Sequence, residues 1–276
     1  HTMQQLHRTF GHRNYKDIQR LAEQNGWQID PTENRTFCDV CTKSKRRIAK
    51  TASKKSTSPL NGPGIIVSTD YIGPFATGVG DVTGAYVFVD NYSRHPMAYT
   101  VKHKSEILRC FKQYLIDSGL RINDTIQGPQ ILQSDTSTDI FSNECKQFCI
   151  DHGIRQRCSP PYTQAQNGLV ERHIKTIKSM VRTLLLDSNL PHKFWPYALA
   201  HSCLLLSLLP NNTTAKSPFE LQYGVVPNLN IAKIAPFGER CIIPDHANSN
   251  KSDFTHSPNV QGYYLGYSRR SKSMFV

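Results

Sequence analysis

"GIIVSTDYIG" spans residues 64–73, "GAYVFVDNYSR" follows at 84–94 and "MAYTV" at 97–101. β-branched and aromatic residues dominate these runs and short turns separate them, so three successive antiparallel strands are expected. The period then changes. "SEILRCFKQYLIDSG" (105–119) has apolar residues at helical spacing, with Ser105 as a cap and Gly119 as a stop. "PQILQSD" (129–135) reads as a short buried strand, "SNECKQFCIDHG" (142–153) as a helix and "IRQRCS" (154–159) as another strand. "PPYTQAQNG" (160–168) reads as a loop. A helix starts at Gly168, and the strongly apolar "HKFWPYALAHSCLLLSLLP" (192–210) is a further helix with Pro196 in its first turn. Three strands followed by alternating helices and strands place the chain in the α/β class, a mixed sheet covered by helices.

The flanks differ from this centre. Residues 3–25 read as helical, stopping at Gly26, and "CDVC" follows at 38–41. Seven of the thirteen residues in "KSKRRIAKTASKK" (43–55) are basic, and "STSPLNGPG" after it has the composition of a linker. The last fifty residues hold short strand-like pieces, "ERCIIP" (239–244) and "VQGYYLGYS" (260–268). The chain opens at His1 and stops in mid-pattern after "SRRSKSMFV", which reads as a piece of a longer polypeptide. The boundaries expected are 1–50 for a small helical domain, 51–63 for a basic linker, 64–225 for the α/β core and 226–276 for a partial β module.

The 276 residues carry a formal charge of +12, and residues 1–60 alone hold 12 basic side chains against 5 acidic. An excess concentrated at one end points to a polyanionic partner, most simply nucleic acid. No run of about 18 apolar residues would cross a membrane, and no secretory signal opens the chain. Of the eight cysteines, only Cys38 and Cys41 have metal-ligand spacing, so a reducing compartment without a disulfide framework is expected.

His7 and His12, with four residues between them, precede that Cys-x-x-Cys pair. Two imidazoles and two thiolates complete a tetrahedral shell suited to zinc, and four protein ligands make a closed, structural site. A unit this poor in apolar residues gains from such a staple. The alternative is that both histidines are ordinary helix residues.

Three acids fall at strand or helix ends: Asp70 in "VSTDYIG", Asp135 at the end of "ILQSD", and Glu171 on the helix after Gly168. Asp90, at the end of "VFVD", fits the same description, and residue type does not separate it from the others. Asp124, Asp139 and Glu144 read as solvated charges. Carboxylates gathered at one sheet edge repel one another unless divalent cations neutralise them, and Mg²⁺ takes oxygen ligands while leaving positions open for phosphates.

Thirty-five residues separate Asp135 from Glu171. With that spacing, "LHRTFGHRNYKDIQRLA", "CDVCTKSKRR", "STDYIGP", "YVFVDNYSR", "ILQSD", "SPPYTQAQNGLVERHIKTI", "LPHKFWPYALAHS", "SPFELQYGVVP", "APFGERC" and "GYYLGYS" in this order resemble the integrase region of copia-type LTR retrotransposon polyproteins. The resemblance implies a ribonuclease-H-like core with a mixed five-stranded sheet, and a catalytic triad of Asp70, Asp135 and Glu171 holding Mg²⁺ or Mn²⁺. It implies structural Zn²⁺ on His7, His12, Cys38 and Cys41. The implied activity joins 3′-hydroxyl ends of element cDNA to host DNA. The implied partners are double-stranded DNA, further copies of the chain and a host tethering factor, with a nuclear location after a cytoplasmic stage in virus-like particles and no membrane. Where the family usually has Asn-Gly after the second aspartate, this chain has Thr136 and Ser137; Asp139 replaces a more usual Glu, and Gln164 a common proline. Losing a turn-forming pair beside the metal site raises the alternative of an inactive remnant that still binds zinc and DNA.

On the helix after Gly168, Val170, Ile174, Ile177, Val181 and Leu184 recur on one face, directed to the core. Glu171, Lys175, Lys178 and Arg182 form a polar stripe beside it. The basic members are candidate DNA contacts, as are Lys45, Arg46 and Arg47; a solvated Glu–Lys pair is the bland alternative, worth a few tenths of a kcal/mol.

Overall fold

The computed structural model describes residues 2–29, 38–44, 60–120, 129–134, 142–158, 164–210, 215–227, 234–244, 259–267 and 274–276. Their central feature is a five-stranded sheet built from β1 (Ile66–Ile72), β2 (Gly84–Asp90), β3 (Pro96–Val101), β4 (Ile131–Ser134) and β5 (Arg155–Cys158) in the order β3-β2-β1-β4-β5. The β1–β2 and β2–β3 pairs are antiparallel; β1–β4 and β4–β5 are parallel. The expected mixed sheet is therefore present, with the hairpin-linked run on one side and crossover connections on the other.

Alternation along β2 explains why both faces need cover. Tyr86 and Phe88 point to one layer, with α4 (Ile107–Asp117) and α5 (Asn143–Asp151) above them. Ala85, Val87 and Val89 point to the other, against α6 (Gln164–Ser188) and α7 (Trp195–Leu208). Every residue of β2 is buried. Phe88 stacks on Tyr114 at 4.9 Å and on Phe111 at 6.0 Å between ring centroids. Burying such a ring contributes about 1.5–3 kcal/mol.

The turn after β2 is held by Asp90, whose buried carboxylate accepts from the amides of Gly64 (2.7 Å), Tyr92 (3.0 Å) and Ser93 (2.7 Å) and from the Ser93 hydroxyl (3.0 Å). The same hydroxyl lies 2.6 Å from the side-chain amide of Gln222 on α8 (Pro218–Tyr223). Asp90 is thus a structural acid that ties the hairpin to the start of β1 and to α8.

At the N-terminus the expected single helical stretch is two helices, α1 (Met3–Thr9) and α2 (Tyr15–Asn25), with α3 (Asp39–Ser44) packed beside α6. The break comes at Gly11 and His12, both left-handed at φ 61° and 57°. Asn14 then caps α2 through its side chain, accepting from the Asp17 amide. A Cβ at Gly11 would stand 2.9 Å from Met180 of α6 and 3.0 Å from Leu205 of α7. Leu6, Phe10, Ile18 and Leu21 share a buried cluster with those two residues and Leu209, so the N-terminal unit sits on the far halves of α6 and α7.

Two further differences concern helix starts. The residues 164–168 expected in a loop form the first turns of α6; a glycine costs about 1 kcal/mol in a helix, which 25 residues of cooperative hydrogen bonding outweigh. Ser105 lies in a short 3₁₀ turn (Lys104–Glu106) ahead of α4 rather than capping it. Among the described C-terminal residues there are two separate ribbons, β6 (Arg240–Pro244) with β7 (Asn259–Tyr263) and β8 (Gly266–Tyr267) with β9 (Met274–Phe275). The second ribbon packs on α7, where His201 meets the rings of Phe237 and Tyr264.

Candidate active site and metal centre

His7 comes from the end of α1, His12 from the left-handed turn, Cys38 from the residue before α3 and Cys41 from its first turn. One ligand atom from each lies within 4.8 Å of all the others. His12 Nδ1 is 3.2 Å from Cys38 Sγ, and His7 Nε2 is 3.3 Å from Cys41 Sγ. A tetrahedron with zinc bonds of 2.0–2.3 Å has edges of about 3.3–3.8 Å, so this soft nitrogen and sulfur set fits one zinc ion after small adjustments. The fold brings these four residues together, and His12 lies in a left-handed turn rather than in a helix.

Both imidazoles are oriented from behind. His7 Nδ1 lies 2.7 Å from the Arg13 carbonyl oxygen. His12 Nε2 faces Asp187 Oδ2 of α6 at 3.4 Å, within ion-pair reach but long for a hydrogen bond. Arg8 donates to the same oxygen at 3.2 Å. Burial opposes the charge on Asp187, yet His12 and Arg8 together hold its carboxyl below the ordinary range. Sequence reading missed Asp187; an acid one residue from the end of a helix, where the dipole disfavours it, was the signal.

The candidate catalytic acids are placed unevenly. Asp70 is half-buried on the central strand β1, opposite Val87 of β2. Glu171 is half-buried on α6, which packs across β1 and β2. Asp135 and the altered turn at Thr136 and Ser137 lie outside the described residues; Ser134, the last residue of β4, pairs with Cys158. Glu171 stands in the third turn of α6 rather than at its start, so the helix dipole, which fades beyond the first turn, is not what favours an acid there. Asp90, the rival from residue type alone, has its carboxylate occupied by four donors.

The polar stripe on α6 is exposed at Lys175, Lys178 and Arg182. Lys178 Nζ lies 5.9 Å from the ring centre of Phe75, and Arg182 reaches the Ser44 carbonyl at 3.4 Å. Arg182 therefore serves the contact between α3 and α6. Lys45, Arg46 and Arg47 lie outside the described residues. A second basic grouping was not anticipated. Burial lowers the pKa of His173, and Arg94, Arg172 and Arg13 lower it further, while a hydrogen bond to the Leu169 carbonyl opposes them.

The mixed sheet and the match over residues 61–164 define the class, a ribonuclease-H-like integrase core, here behind a small helical unit that carries a His-His-Cys-Cys cluster. Residues 61–164 match the family described as integrase core domain. The chain is 28% identical over 272 residues to the retrovirus-related Pol polyprotein from transposon TNT 1-94 of Nicotiana tabacum, covering 95% of this chain and 19% of that protein. It is 29% identical over 247 residues to the corresponding polyprotein from transposon RE1 of Arabidopsis thaliana, covering 87% of this chain and 16% of the relative. The chain spans less than a fifth of the length of these curated relatives. Among solved structures, the simian T-cell lymphotropic virus intasome in complex with PP2A regulatory subunit B56 gamma matches with a TM-score of 0.52 and 19% identity, covering 82% of this chain and 76% of that one. Residues 61–164 thus carry the integrase core match, and most of the chain is similar to a stretch of plant retrotransposon Pol polyproteins.

Proposed function

We propose that the chain joins element cDNA ends to host DNA as a metal-dependent polynucleotidyl transferase. The observation that carries this reading is the parallel pairing of β1 with β4 together with the packing of α6 on β1. Asp70 stands on β1 and Glu171 on α6. Paired residues of β1 and β4 are 65 apart in number, as are Asp70 and Asp135. Continuing that register is what would set the two aspartates side by side.

In this reading Asp70, Asp135 and Glu171 hold Mg²⁺ or Mn²⁺, hard ions suited to carboxylate oxygens. The bound ions supply charge neutralisation and Lewis-acid activation at the phosphate. The attacking group is the DNA's own 3′-hydroxyl. Its oxygen forms a bond to the target phosphorus, its proton leaves, and the target strand departs from phosphorus with its own 3′-oxygen. No protein nucleophile takes part, so the protein's work is to position the strands in line.

His7, His12, Cys38 and Cys41 hold structural zinc, and Lys175, Lys178 and the Lys45–Arg47 run contact DNA phosphates. Such contacts are salt-sensitive and largely indifferent to sequence. The residue ranges 1–50, 51–63, 64–225 and 226–276 are the corresponding domains. Working on two cDNA ends and a target calls for more than one copy of the chain, and a chromosomal target calls for nuclear entry from a cytoplasmic particle and admits a tethering protein.

The test is to incubate the zinc-loaded chain with Mg²⁺ or Mn²⁺, an element-end duplex and plasmid. Joined product that disappears with Asp135→Asn supports the proposal. Folded, DNA-binding protein that joins nothing contradicts it and marks an inactive copy.

A further inference from the structure

Beside their apolar contact, the N-terminal unit and the core meet where the His-Cys cluster faces the end of α6. His7 receives its orienting oxygen from within the unit, at Arg13. His12 faces a carboxylate from the core helix, Asp187, which lies 175 residues away in the chain. That carboxylate is one residue from the C-terminal end of α6, largely shielded from solvent, where the helix dipole opposes a negative charge. On the same Oδ2 atom converge His12 and Arg8, both from the N-terminal unit. Nearby, the Thr183 hydroxyl of α6 meets the Ser44 hydroxyl of α3 at 2.8 Å in a buried contact. The ring of His12 is thus gripped on one side by the cysteine cluster and on the other by the helix that carries Glu171.

We propose that Asp187 is a positioning residue for the metal ligand His12, so that metal binding and docking of the N-terminal unit on α6 strengthen one another. The inference rests on the zinc reading of the cluster. A neutral imidazole binding metal through Nδ1 carries its proton on Nε2, and a carboxylate beyond that proton fixes the ring's orientation and raises its basicity. Because that carboxylate belongs to α6, the ligand shell is fully supported only in the docked arrangement. Linkage then requires the reverse: zinc must favour docking by the same free energy that docking adds to zinc binding.

The experiment compares the parent chain with Asp187→Ala, Asp187→Asn and Arg8→Ala. Zinc affinity is measured by competition with a chromophoric chelator, and hydrogen exchange over residues 177–188 with and without zinc. The parent should bind one zinc and show zinc-dependent protection of that segment. Asp187→Ala should bind zinc about 10-fold or more weakly, the usual effect of losing such a partner, and lose the zinc-dependent protection. Asp187→Asn, which keeps an acceptor oxygen and the side chain's volume, should lose less and serves as the readout if Asp187→Ala does not fold. Arg8→Ala, which leaves the carboxylate on His12, should keep the parent's affinity. Equal zinc affinity in the parent and both Asp187 variants overturns the inference, as does protection of 177–188 that ignores zinc in the parent. A parent chain that binds no zinc overturns the zinc reading itself, a separate outcome.

Discussion

Helix α6 supports two units that are held together by different means. Its first half packs on the sheet, where Val170, Ile174 and Ile177 meet the alternating Ala85, Val87 and Val89 of β2. Its second half carries the N-terminal unit, where Met180 meets Leu6 and Phe10, and Asp187 and Thr183 meet His12 and Ser44. The sheet is closed by side chains on both faces, and its deeply buried acid among the described residues, Asp90, is well supplied with donors. The N-terminal unit buries its apolar side chains largely against α6 and α7 and gathers two histidines and two cysteines beside them. A unit of this size gains stability from a bound metal, whereas a large two-faced core does not need one.

Metal removal should separate the two regions most strongly. Structural zinc contributes on the order of 10 kcal/mol to small domains. A chelator should therefore unfold or undock α1–α3 while the sheet stays folded, seen as exchange of the 3–25 amides with β1–β3 still protected. Concerted loss of both regions would break the comparison.

Phe88→Ala should act in the opposite sense. Removing a ring buried between Phe111 and Tyr114 should cost about 3–5 kcal/mol in denaturant unfolding of the core. Metal affinity at the cluster should be unchanged, because Phe88 lies in the layer remote from α1 and α2.

His201 sharpens the comparison on the side of α7 that meets the C-terminal ribbon. Both ring nitrogens are buried without a hydrogen-bond partner among the described residues, and burial lowers the pKa to about 4. The unfolded chain takes up a proton near the ordinary value of about 6.5; the folded one does so only near 4. Stability present above pH 6.5 should therefore fall as pH drops towards 4, by roughly 3 kcal/mol at most. His201→Phe should remove that share of the pH dependence in denaturation measured between pH 7 and 4.

The sheet and the His-Cys cluster were legible in the sequence for a shared reason: each signal is local. Alternating Tyr86, Val87, Phe88 and Val89 reveal a strand buried on both faces, and His7, His12, Cys38 and Cys41 come as closely spaced pairs. What it hid depends on distant partners. Asp70 and Asp90 are alike as residue types, and the fold adds that Asp90 is fully buried with its carboxylate bonded to the turn after β2. Asp187 looks like a surface acid until His12 is folded against it. The first turns of α6 contain Asn167 and Gly168, which favour loops locally, and cooperativity of the long helix overrides them. The break at Gly11 and His12 was likewise hidden, because a helical pattern on either side masked a turn that the His-Cys cluster and the approach to Met180 require.

The most direct test of the catalytic account is strand joining by Glu171→Gln beside the parent chain, with zinc content and unfolding measured on the same samples. Losing one carboxylate from the metal-holding set removes several kcal/mol of charge stabilisation at the phosphate, so joining should fall about 100-fold or more. Zinc stoichiometry and unfolding should be unchanged, since Glu171 lies on the sheet half of α6 and the cluster on the other. Joining at the parent's rate by a folded, zinc-loaded Glu171→Gln chain would contradict the assignment of the acid on α6 to the reaction.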